Sequence, residues 1–171
     1  MNLRALLFAA MVTMYAGCSS TPAPVVNTTA QDEAAIKALE DRFVAAFDAK
    51  DVNEIMALYT PSDDLVVFDA TPPLQYKGWA AYKKDWEGVF AGSPGLTGIT
   101  LTDLDITVGG DVAYSRSIQT STSTDKSGKK SVFVARVTDG YRKINGVWLI
   151  SHEHVSVPVD LSKMKPDLDG K

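Results

Sequence analysis

A chain of 171 residues suits one ordinary domain and is too short for two of typical size. With 45% apolar and 22% charged residues it can bury a core, which excludes a disordered polymer. A net charge of −4 leaves no basic footprint for nucleic acid, and a single cysteine excludes an internal disulfide and every multi-cysteine metal site.

The chain begins Met1-Asn2-Leu3-Arg4, followed by a run from Ala5 to Tyr15 broken only by Thr13. One positive charge, a short apolar stretch and a small-residue exit predict an export signal over residues 1–17, too short for a permanent membrane span. Tyr15-Ala16-Gly17-Cys18 resembles the lipobox of bacterial lipoproteins, with Tyr15 standing where leucine is usual. The resemblance implies lipidation of Cys18, and Ser19 after it implies sorting to the outer membrane, facing the periplasm. The alternative is an ordinary cleaved signal with an incidental cysteine. Residues 18–30 hold the anchor cysteine and an uncharged Ser/Thr/Pro/Ala tether with no periodicity.

The domain proper is expected over residues 31–160, with a polar, frayed tail over 161–171. From Gln31 to Lys50, Ile36, Leu39, Phe43 and Phe47 recur at helical spacing, and Asp32 and Glu33 fall in the predicted first turn. Asp51 followed by Glu54 opens a second, short helix in the pattern of a capping box. Its inner side is Val52, Ile55, Met56 and Tyr59, and Pro61 ends it. A short strand over Leu65 to Asp69 is closed by Pro72-Pro73. The third helix follows Gly78 and carries Trp79, Tyr82, Trp86 and Phe90 as an aromatic stripe that needs an apolar surface opposite.

Beyond Leu96 the pattern turns to β. Segments near Gly98–Val108, Val112–Thr122, Lys130–Lys143 and Val147–Val157 are separated by turn residues, Asn145-Gly146 the clearest of them. Helices first and a meander of long strands afterwards predict an α+β fold, three N-terminal helices on one face of a strongly curved antiparallel sheet.

Alternation along the last strand puts Trp148, Ile150, His152 and His154 on one face. In the strand before it, Val132, Val134, Arg136 and Thr138 share a face, and Phe133, Ala135, Val137 and Asp139 the other. Arg136 is then either an edge charge reaching solvent or a pocket donor for an anion or carbonyl. The two histidines, joined by Asp69 or Asp105, could ligate a metal, but no HxxxH or CxxC pattern supports that, and no cofactor is expected. Histidines so placed more often line a wet cavity, where they can serve as acid or base. Asp69, at the end of a buried strand, is a general-base candidate if burial raises its pKa, or equally a turn residue that accepts backbone N–H bonds. P-loop, GxGxxG and GxSxG motifs are missing from the sequence.

The element order resembles the NTF2-like superfamily of cone-shaped α+β domains, and within it the SnoaL-like, ketosteroid-isomerase-like group. The residues that carry the resemblance are Asp48 to Asp51, Tyr76-Lys77-Gly78, Arg136 to Gly140, Asn145 to Trp148 and His152 to Pro158. The group includes isomerases, dehydratases, cyclases and non-enzymatic binding domains. Against ketosteroid isomerase, Asp69 falls at the position of the aspartate base, while Phe43 replaces the tyrosine donor and the second donor is replaced near Arg136. Steroid isomerisation is therefore not expected. The resemblance implies a conical cavity for a small, largely apolar molecule with polar groups. It would be lined by Asp69, Arg136, Thr138, His152 and His154, with Trp86 and Tyr59 as apolar walls. It also implies a homodimer through the sheet face. The rival readings are an isomerase or lyase using Asp69 or His154 as acid/base, and a non-catalytic assembly lipoprotein.

Overall fold

The computed structural model describes residues 28–170; the predicted leader, Cys18 and most of the tether lie outside the described residues. Three helices come first: α1 (Thr28–Ala49), α2 (Val52–Met56) and α3 (Trp79–Gly92). Two short strands, β1 (Val66–Phe68) and β2 (Tyr76–Lys77), lie between α2 and α3. Four long strands follow, β3 (Leu96–Gly109), β4 (Val112–Thr124), β5 (Lys130–Ile144) and β6 (Val147–Ser156). The chain closes with β7 (Val159–Asp160) and β8 (Lys165–Pro166).

Local chemistry explains the boundaries. Asp51 caps α2, its Oδ1 accepting from the backbone N–H of Asn53 at 3.0 Å and of Glu54 at 3.1 Å. The Glu54 side chain points elsewhere and meets the Arg42 guanidinium at 3.3 Å. Asn145 and Gly146 both take positive φ, 51° and 83°, as a two-residue hairpin between β5 and β6 demands. The first helix starts three residues earlier than its apolar stripe predicts, which moves Asp32 out of the first turn. Asp32 instead accepts from Lys143 Nζ at 2.7 Å and Trp148 Nε1 at 3.0 Å, tying α1 to the sheet.

The six-stranded sheet runs β2-β1-β6-β5-β4-β3. Strands β3 to β6 form the expected antiparallel meander, whereas β1 joins β6 in parallel, Val67 beside Glu153. Ile36, Leu39, Phe43 and Phe47 of α1 are all nearly buried and pack with Val67, Tyr141, Trp148 and Ile150 of the sheet. The tail does not fray as expected. Strands β7 and β8 form a small hairpin, and Val134 N–H donates to the Leu168 carbonyl at 2.9 Å, which ties the tail to β5 beyond the end of β6.

Candidate functional site

Strand β6 carries one residue too many for its partner. Gly140 pairs with His152 and the next residue, Tyr141, pairs with Ile150, which leaves Ser151 as the extra residue of a β-bulge. A bulge resets the period-2 alternation beyond it. Trp148 and Ile150 face the core as predicted, but past Ser151 the inward positions are Glu153 and Val155 rather than His152 and His154.

Between the helices and the curved sheet lies a cavity of about 350 Å³. Helix α1 contributes Phe43 and Phe47, α3 contributes Tyr82, Asp85 and Trp86, and β5 contributes Phe133 and Ala135. Trp86 is the hub of the aromatic wall, with ring centroids of Phe43 and Phe47 at 5.9 Å and of Phe90 at 5.7 Å. This is the apolar surface that the α3 stripe requires. The polar lining is Asp69 and Thr71 from the loop after β1, Asp85, Ser93, Gln119, Ser121 and Glu153.

Glu153 is 4% exposed and held by two phenols. Tyr59 donates to Oε2 and Tyr82 to Oε1, each at 2.6 Å. Burial pushes its carboxyl up, and the Asp69 charge adds to that, while the two tyrosine bonds pull it back. Its register partner on β5, Asp139, is 2% exposed with Oδ1 unpaired. Burial, then the charges of Glu153 and Glu40, hold Asp139 well above the carboxylate range. Glu40 on α1 completes this buried acidic set. Tyr141 donates to its Oε1 at 2.6 Å and receives Ser115 Oγ at 2.7 Å. Desolvation lifts Glu40 to about 7 despite that bond.

The expected site residues divide between two faces. Asp69 lines the cavity; its Oδ1 accepts from Thr71 N–H at 3.2 Å, and burial followed by the Asp85 charge raises its pKa. Trp86 lines it too. Tyr59 does not form a wall: it is 1% exposed and its role is the bond to Glu153. Arg136, Thr138 and His154 are exposed on the outer face of the sheet and do not reach the cavity. The bulge accounts for His154. Arg136 and Thr138 follow the regular alternation of β5, whose inward residues are Ala135, Val137 and Asp139. His152 is half-buried on that outer side, its Nδ1 2.7 Å from the Val66 carbonyl and its ring edge-on to Phe68. It borders a separate polar depression with Ser62, Asp64 and Arg142. Among the described residues no three His, Cys, Asp or Glu side chains are grouped as metal ligands.

Glu153, Asp85 and Glu40 are the residues that sequence reasoning missed. One signal was present: Asp139 interrupts the inward run of Phe133, Ala135, Val137 and Tyr141, so a buried acid was written into β5. An acid buried there calls for polar company from the neighbouring strand and helix.

Helices laid over one end of a curled six-stranded sheet, with a hollow between, define a cone of the NTF2 type. Residues 36–160 match the SnoaL-like domain family, and the chain belongs to it. An NTF2-like protein of unknown function from Pseudomonas putida is 32% identical, with a TM-score of 0.74 over 84% of this chain and 98% of its own. An NTF2-like superfamily protein from Salmonella enterica shares the fold at 22% identity and a TM-score of 0.64, over 77% of this chain and 94% of its own. A ketosteroid isomerase-like protein from Erwinia carotovora does so at 23% identity and a TM-score of 0.58, over 72% and 93% respectively. Among curated proteins, none matches the sequence.

Proposed function

We propose that the domain binds a small, largely apolar molecule carrying a polar group, in the cavity between α1, α3 and the sheet. The observation that carries this reading is the hollow itself: about 350 Å³ walled by Phe43, Phe47, Trp86 and Phe133, with Asp69 and Asp85 as polar groups on the same lining. Apolar walls with a few fixed polar groups are the general form of a small-molecule site. In this reading the leader exports the domain and Cys18 anchors it, and the outer sheet face, on which Tyr114, Val132 and Arg136 are exposed, is where two copies pair.

Ala135, 3% exposed and on the cavity lining, gives the test. A neutral aromatic alcohol such as 1-naphthalenemethanol should raise the melting temperature of the wild type, the rise growing with the logarithm of its concentration above Kd. At a hundredfold excess over Kd the stabilisation is about 2.7 kcal/mol. Ala135→Phe should fill the hollow and abolish the effect in a folded protein. Equal stabilisation of both proteins would refute the reading.

A second reading is supported by Asp69 alone: a desolvated carboxylate on the cavity wall can move a proton of a bound carbonyl compound. His154, the other acid/base candidate, is on the wrong face for that chemistry. Deuterium exchange α to the carbonyl of 2-tetralone in D2O should then be accelerated by the wild type and not by Asp69→Asn.

A further inference from the structure

Resting on the binding reading above, we propose that the cavity selects a cation: an aromatic or alicyclic amine, its ammonium group beside Asp69 and its hydrocarbon body against Trp86, Phe43 and Phe47. The charge inventory of the lining carries this. Three carboxylates, Asp69, Asp85 and Glu153, face the hollow, and among the described residues no lysine, arginine or histidine lines it. The basic groups of the surrounding elements are engaged or turned away. Lys50 donates to the Pro94 carbonyl at 2.9 Å, Lys83 to Asn53 Oδ1 at 2.9 Å, and Arg136 lies on the outer face of the sheet.

The three acids are not equally provided for. Glu153 receives two tyrosine hydroxyls, and Asp85 receives the Tyr76 hydroxyl at 2.6 Å. Among the described residues Asp69 receives only groups of its own loop, the Thr71 N–H at 3.2 Å, the Ala70 N–H and, more weakly, the Thr71 hydroxyl at 3.5 Å. No other element supplies it with a donor, and the Asp85 carboxylate nearby adds to the pull on a cation. An ammonium there replaces hydration that burial has removed, and the π-faces of the surrounding rings favour a cation over an anion.

The test uses three probes of one shape and different charge, titrated calorimetrically into the purified chain at pH 7.5: 1-naphthylmethylamine, 1-naphthalenemethanol and 1-naphthoate. The amine should bind at least tenfold more tightly than the alcohol, and the carboxylate more weakly than either. Asp69→Asn, and Asp85→Asn should the first variant fail to fold, should narrow the amine-to-alcohol ratio to threefold or less. Equal affinity for amine and alcohol, tighter binding of naphthoate, or an undiminished ratio in both variants would overturn the amine assignment and leave the cavity reading standing. Binding of none of the three would overturn both.

Discussion

Replacing Glu40 by glutamine should make the protein more stable at pH 8, by a margin that shrinks towards pH 5. Glu40 is 3% exposed, and its carboxyl is lifted from an ordinary 4.5 to about 7 by burial and by the neighbouring charge of Glu153. Between those values the folded protein binds a proton that the unfolded chain has released. Stability from this group is thus fully present below pH 4.5 and lost as pH rises through about 7. At 1.36 kcal/mol per pKa unit, the loss between pH 5 and pH 8 is about 2.5 kcal/mol. The amide, like the neutral carboxyl, keeps an acceptor for the Tyr141 hydroxyl but cannot ionise. Urea unfolding of wild type and Glu40→Gln at pH 5, 6, 7 and 8 measures the difference directly. The gap between the curves should widen by about 2.5 kcal/mol from pH 5 to pH 8, the variant above. Parallel curves, or a variant weaker at pH 8, would refute the account of Glu40 as a desolvated acid.

Tyr82→Phe removes one of the two phenol donors to Glu153 without changing the packing of the ring, and should cost about 1.5–3 kcal/mol at pH 8, measured by urea unfolding. The loss should shrink at pH 5, where the carboxyl bears less charge. Gly95→Ala should destabilise by more than 1 kcal/mol on the same assay, because a Cβ there would run into the Thr124 carbonyl at the β3–β4 edge. On the proposed anchoring, wild type should fractionate with membranes and Cys18→Ser with the soluble proteins of the producing cells, read by immunoblotting; the same distribution for both would refute the anchor.

The parts of the fold that chemistry fixes locally were legible in the sequence. The α1 stripe, the Asp51 cap and the Asn145-Gly146 turn each follow from a few neighbouring residues, and all three stand in the structure where they were expected. The site was legible only in part. Asp69 and Trp86 face the hollow because β1 and α3 are regular up to them. The histidines were assigned to the wrong side because the bulge at Ser151 is a property of the pairing between β5 and β6, and alternation within β6 gives no sign of it. Glu40 was hidden for a related reason. Its burial depends on Tyr141, 101 residues away, and on how α1 lies across the sheet.

The surplus residue in β6 has a consequence for how the protein finds its fold. Had the strand's second half slid by a single step, the imidazoles would enter the hollow and the carboxylate would turn to water, an error that differs little in hydrogen-bond count. What separates the two alignments is the pair of phenols. In the wrong one, Tyr59 and Tyr82 would lose the carboxylate that accepts from both, and a neutral imidazole offers a single acceptor nitrogen. The buried acid thus proofreads the strand's alignment: the carboxyl that burial penalises is also the one that favours a single threading.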